Sequence, residues 1–250
     1  VESQNTDISG SAEEASGPAA IAEKSRWWGF WTYAAVALIH VAAIVFGLDD
    51  IVYPTKLALM PLLALAALWY FGGTGPIRHP AATRLLFLAL AFSWLGDGAS
   101  FFFPMFDDEL PAMLLCFGIA HLLYIWLFTR HMRTRPIPAW TLVYGLWWGV
   151  MIAVLWPHLG ALLVPVILYG LILGGTAVAS TRGGVLTTIG GAFFLASDTI
   201  LALRLFLPDV PGDLTSPWIM LTYTLGQGLL ALGITRVLQG RTSVRLEAPA

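Results

Sequence analysis

The sequence predicts an all-α polytopic membrane protein, an eight-transmembrane-helix bundle with both termini cytoplasmic. Three observations carry this. Of 250 residues, 58% are hydrophobic and 11% charged, with mean hydropathy +0.76, far from the roughly 25% charged composition of soluble domains. The apolar residues fall into eight windows of 18 to 23 residues, each about the length of a helix crossing a ~30 Å hydrocarbon core. Eleven of the thirteen basic residues collect at alternate window ends.

The windows are 27–48, 51–71, 85–105, 110–129, 139–156, 160–179, 185–207 and 217–238. They are about twice as long as a barrel strand and lack strict alternation, whereas a helix satisfies its own backbone groups in lipid. Asp49-Asp50 and Pro157-His158-Leu159 read as short connections, which makes sequential helices antiparallel neighbours. Residues 1–25 carry Glu2, Asp7, Glu13, Glu14 and Glu23 among Ser, Gly and Ala. This composition predicts a disordered cytoplasmic tail without the basic n-region of a signal peptide, so the first window reads as a retained span. Residues 26–240 form one transmembrane domain and 241–250 a short cytoplasmic tail.

Charge orients the bundle. Lys24, Arg26, Arg78, Arg84, Arg130, Arg133, Arg135, Arg182, Arg236, Arg241 and Arg245 mark one set of ends. Asp49, Asp50, Asp107, Asp108, Glu109, Asp209 and Asp213 mark the other, with no loop Lys or Arg. The positive-inside rule makes the first set cytoplasmic. Lys56 and Arg204 lie within windows near non-cytoplasmic ends, where long side chains can snorkel. Trp27, Trp28, Trp156 and Trp218 fit an interfacial aromatic belt.

A net charge of -2 gives no electrostatic footprint for nucleic acid. The single cysteine, Cys116, excludes an intramolecular disulfide framework and a cysteine-based zinc site. No HExxH, GxSxG, P-loop or His-rich cluster is present, which disfavours a metal hydrolase, and neither a metal nor another cofactor is expected.

Ionisable residues inside hydrocarbon are costly and invite functional hypotheses. Lys56, Asp97, His121, Asp198 and Gln227 stand inside windows, with His40 in the first and Arg204 in the seventh. Counted from the non-cytoplasmic ends, Lys56, Asp97 and Asp198 lie roughly 8–14 Å deep and His121, Tyr223 and Gln227 about 9–17 Å. Polar groups from five helices thus occupy one slab. Ser93 and Asp97, His121 and Tyr124, and Tyr223 and Gln227 are three or four residues apart, so each pair shares a helix face. Gly96 and Gly98 flank Asp97 and leave room for a neighbouring helix or a ligand. Asp97 and Asp198 are 101 residues apart, and His121 and Tyr223 are 102 apart, which suggests a parallel four-plus-four repeat.

Two functional classes compete. Two aspartates facing one lysine leave a carboxyl over, which suits acid-base catalysis at a blind site. The same buried Asp, Lys and His residues also describe a proton- or ion-coupled transporter of small molecules or lipids. A pathway needs polar groups at successive depths, and the cytoplasmic halves of the windows are almost wholly apolar.

Five stretches resemble the YhhN-like lysoplasmalogenases, a family of multi-pass membrane hydrolases. In order they are YPTKLALMPLL with Lys56 and Pro61, SWLGD ending at Asp97, FGIAHLLY with His121 and Tyr124, GAFFLASD ending at Asp198, and YTLGQGLL with Tyr223 and Gln227. They run from the second helix to the eighth. The resemblance implies cleavage of the vinyl-ether bond of lysoplasmalogens, 1-alkenyl-glycerophosphocholine or -ethanolamine, to a fatty aldehyde and the glycerophospho-alcohol. It also implies that Asp97 and Asp198 are the essential pair, with Lys56, Ser93, His121, Tyr124, Tyr223 and Gln227 as supporting or substrate-binding residues. The implied partners are a lysophospholipid substrate and membrane lipids.

Overall fold

The computed structural model describes residues 28–72, 79–132 and 135–246, with side chains through Gln239. The N-terminal tail, Lys24, Arg26, Trp27, Arg78, Arg133 and the side chains of Arg241 and Arg245 lie outside the described residues. The described residues are helical, with no strand. Long helices are α1 (Trp28–Val45), α2 (Asp49–Gly72), α3 (Pro80–Asp97), α4 (Leu110–Trp126), α5 (Leu142–Leu159), α6 (Leu163–Ser180), α7 (Val185–Phe206) and α8 (Gly212–Leu246). Among the described residues, six helical stretches are long and apolar enough to cross a membrane. One of them, Ala139–Gly183, contains both α5 and α6, and Pro80–Asp97 is not among the six. The outward faces carry large apolar side chains such as Leu38, Leu65, Leu115 and Leu146. Apolar exposure on this scale needs a lipid environment or a partner, so the fold is that of an integral membrane protein.

Several boundaries differ from the sequence reading. Asp49 and Asp50 form the first turn of α2 rather than a connection, where carboxylates complement the positive helix end. Pro157, His158 and Leu159 complete α5. The turn follows at Gly160, whose φ of 48° suits a residue without Cβ. The third window breaks at Gly98, after which Ala99–Phe102 forms a separate helical turn. Helix α8 starts at Gly212 and continues to Leu246, through much of the expected C-terminal tail.

Sequential neighbours pack against each other except at α4 and α5. Helix α4 packs against α3 and α6, while α5 sits outside, against α6 and α7. Small residues on α6 permit the close approach, since a Cβ on Gly175 would stand 3.3 Å from Ile125 of α4. Helices α7 and α8 form the most extensive pair. Their backbones meet at Gly190 and Gly226, where an added Cβ would lie 2.8 Å from the backbone nitrogens of Leu230 and Phe194 respectively. Helix α8 also contacts α1, α2 and α3 and so runs along the centre of the bundle.

Proline chemistry ties α2 to α3. Pro61 lies inside α2 and cannot donate to the carbonyl of Leu57. The indole N–H of Trp94 on α3 donates to that carbonyl at 2.9 Å. A backbone acceptor freed in an apolar interior is thereby satisfied, and α3 is fixed in register three residues before Asp97.

Candidate active site

Helix α3 ends at Asp97, and its side chain turns inward, with the residue 8% exposed. Gly96 makes this possible, because a Cβ there would stand 2.7 Å from the Phe117 ring. The phenol of Tyr223 on α8 donates to Asp97 Oδ2 at 2.7 Å. Lys56 and Asp198 both lie within electrostatic range of Asp97. No side chain among the described residues makes a hydrogen bond or close ion pair with Lys56.

Asp198 projects from α7, its side chain 10% exposed. Tyr169 of α6 donates its hydroxyl to Asp198 Oδ2. His121 Nε2 of α4 lies 3.8 Å from the same oxygen. The imidazole is fully buried, and neither ring nitrogen has a hydrogen-bond partner among the described residues. It is held by rings instead, edge-on to Phe194 at 4.6 Å and to Tyr169 at 5.8 Å. Phe117, Phe194 and Tyr223 pack edge-on to one another and form an aromatic wall around the carboxyls.

One turn deeper lies a second polar layer. Tyr124 donates to Gln227 Oε1 at 2.8 Å, and Gln227 Nε2 donates to Ser93 Oγ at 2.9 Å. All three residues are buried. The i, i+4 spacing of Ser93 to Asp97 and of Gln227 to Tyr223, with His121 and Tyr124 three apart, stacks this layer under the carboxyls. Its members lock α3, α4 and α8 together.

A cavity of about 680 Å³ sits above the carboxyls. Asp97, Asp198, Lys56 and Tyr223 all line it, together with Gly96, Phe117 and His40. Its mouth lies between the α1–α2 and α7–α8 connections, where Gly47, Asp49, Arg204, Asp213 and Ser216 contribute. Ser93, His121, Tyr124 and Gln227 stand behind the lining rather than in it. Among the described residues no three His, Cys, Asp or Glu side chains gather where they could hold a metal ion.

Of the residues singled out in the sequence, then, four line the cavity and four support it. His40, which the sequence places in the first window, lines it as well, with Nδ1 2.8 Å from Thr55 Oγ1. Arg204 is more than an interfacial anchor, because it donates to Ser216 Oγ at 2.6 Å at the cavity mouth. Tyr169 escaped the sequence reading. Its helix carries Thr176 and Ser180 as further polar residues, but none stands three or four residues from Tyr169; a tyrosine inside a window was the main available signal.

The family model for YhhN matches residues 51–234, a stretch that holds Asp97, Asp198 and Asp213 of the cavity-lining carboxyls and leaves out Asp49. The chain belongs to the YhhN family. No curated protein and no solved structure matches it. The YhhN match takes in both aspartates and all six supporting residues, and it leaves out α1, which contributes His40 and the hydroxyl of Tyr33 bonded to the Thr224 carbonyl at 2.8 Å.

Proposed function

We propose that this YhhN protein hydrolyses the vinyl-ether bond of lysoplasmalogens, using Asp97 and Asp198 as an intramembrane pair. The observation that carries the reading is the meeting of two mostly buried carboxyls on one cavity, each with a tyrosine hydroxyl donating to it. Membership of the family supports it. We propose with it that all eight helices span the membrane, that both termini are cytoplasmic and that the cavity opens on the non-cytoplasmic side.

The chemistry follows from the bond. One carboxylic acid gives its proton to the alkene carbon remote from oxygen, which leaves an oxocarbenium ion. The second, ionised carboxyl stabilises that cation and accepts a proton from the water that attacks it. The hemiacetal so formed collapses to aldehyde and alcohol, and the sum is the addition of one water. No electrons enter or leave, so the reaction needs no redox partner. Low-dielectric surroundings and a like-charged neighbour are the ordinary means by which one of two carboxyls stays protonated at neutral pH. Lys56, within electrostatic range of Asp97 and without a hydrogen bond or close ion pair among the described residues, suits the role of holding one carboxyl ionised. General acid-base catalysis of this kind contributes about 10²–10⁴-fold, and a fixed anion facing the cation adds an electrostatic contribution.

The test is aldehyde release from lysoplasmenylcholine by the detergent-purified protein, with the saturated alkyl-ether analogue as control. Aldehyde from the first and none from the second is the expected result, since the saturated chain has no alkene carbon to protonate. Transport of the lipid across liposomes without aldehyde would replace this reading with the transporter.

A further inference from the structure

The mouth of the cavity carries charge in an order that matches a zwitterionic headgroup. Arg204 lies six residues beyond Asp198 on α7, about 9 Å along the helix axis, and lines the same cavity. One end of its guanidinium donates to Ser216 Oγ at 2.6 Å. Among the described residues no carboxylate lies within ion-pair distance of it, although Asp49 and Asp213 both line the mouth. A cation held in place by a neutral hydroxyl keeps its remaining donors for an anion. Guanidinium donors match the geometry of phosphate oxygens. Asp49 and Asp213 are exposed acids at the helix starts of α2 and α8.

We infer that Arg204, positioned by Ser216, binds the phosphate of a phosphodiester headgroup, and that Asp49 and Asp213 face its ammonium group. This rests on the lysoplasmalogen reading and deepens it. The glycerol backbone places phosphorus five bonds from the vinyl-ether oxygen, about 6 Å when extended. An ether between Asp97 and Asp198 therefore brings the phosphate toward a side chain that starts about 9 Å higher and reaches back into the cavity. The ammonium, further along the headgroup, then falls among the acids of the rim. The same acids disfavour a headgroup with additional negative charge. Arg204 is thus a binding residue for phosphate, and Asp49 and Asp213 set headgroup specificity.

The test compares lysoplasmenylcholine with 1-alkenylglycerol, which has the same vinyl ether and no phosphate. Arg204→Gln should raise KM for the phospholipid about ten- to a hundredfold, the loss of a charge-assisted contact, with kcat little altered and the alkenylglycerol KM near its wild-type value. Arg204→Lys should fall between. Asp49→Asn with Asp213→Asn should narrow the preference for lysoplasmenylcholine over the phosphomonoester 1-alkenylglycerol phosphate. An equal KM change for both vinyl ethers, or a change in kcat alone, would overturn the subsite and leave the proposed reaction standing. Should the wild type cleave neither vinyl ether, the reaction falls and binding decides the subsite. Saturated lysophosphatidylcholine, followed by tryptophan fluorescence, should then bind wild type and not Arg204→Gln. Equal binding to both proteins, or equally effective displacement by inorganic phosphate, would overturn a lipid-headgroup site.

Discussion

Tyr223 and Asp97, 126 residues apart, meet at 2.7 Å in the centre of the bundle, the phenol donating to the carboxyl. His121 faces the other aspartate, Asp198, at 3.8 Å. Asp97 of α3 is thus bonded to α8, whereas Asp198 of α7 accepts from Tyr169 of α6 and faces His121 of α4. The two carboxyls are not equivalent, because one is approached by a tyrosine and a lysine and the other by a tyrosine and an imidazole.

Tyr223→Phe removes the hydroxyl and retains the ring contacts with Phe117 and Phe194. A hydrogen bond to a charged group contributes about 1.5–3 kcal/mol, so turnover should fall roughly ten- to a hundredfold while the thermal midpoint moves little. Steady-state aldehyde release alongside a melting curve measures both. Wild-type kcat in a folded variant would assign the bond to structure alone.

Asp97→Asn and Asp198→Asn keep size and some hydrogen bonding while removing acidity. Each should lower kcat by about 10²–10⁴-fold, and the double variant should be little worse than either single one, since groups that act as a unit are not additive. Unaltered chromatographic behaviour in detergent would show that the variants fold. Near wild-type turnover by both would sink the aspartate-pair mechanism.

Much of this arrangement was legible because lipid makes each buried polar residue conspicuous. Asp97, Asp198, Lys56 and Gln227 stood out against apolar neighbours, and their depths placed them in one slab. Periodicity then put Ser93 under Asp97 and Gln227 under Tyr223. What pattern could not supply was which helices touch. The α4–α6 contact depends on Gly175 meeting Ile125, and nothing in either segment alone names the partner. Tyr169 was invisible for the same reason, since its meaning lies in a hydrogen bond from α6 to α7. Helix ends also shifted, because Asp49 and Asp50 read equally as a polar turn or as the acidic first turn of a helix.

The polar layer beneath the carboxyls yields a stability prediction. Gln227→Leu leaves the hydroxyls of Tyr124 and Ser93 buried without their present partner, at a cost of about 1–3 kcal/mol for each group left unsatisfied. Gly226→Val acts differently, by forcing a Cβ to within 2.8 Å of the Phe194 backbone nitrogen. Overpacking costs about 1–3 kcal/mol where side chains can yield, and here backbone would have to move. Both variants should lower the thermal midpoint in detergent, and Gly226→Val should also impair turnover, because Phe194 packs against His121 and Tyr223. A Gly226→Val protein as stable and active as wild type would show that the α7–α8 crossing is looser than its geometry implies.

Orientation links the fold to the origin of the substrate. The cavity mouth is formed by the α1–α2 and α7–α8 connections, whereas Arg84 near the start of α3 and Arg135 before α5 belong to the opposite, basic end under alternating antiparallel helices. Under the proposed orientation, which follows the positive-inside rule, the cavity opens away from the cytoplasm. In a Cys116→Ala background, single cysteines replacing Asp50 and Asp108 should react with a membrane-impermeant maleimide added outside intact cells. Those replacing Arg84 and Arg135 should react only after the membrane is permeabilised. All four positions are exposed, so failure to label reports sidedness rather than burial. The reverse pattern would place the two carboxyls on the cytoplasmic side of the midplane and require the lipid to enter from the inner leaflet.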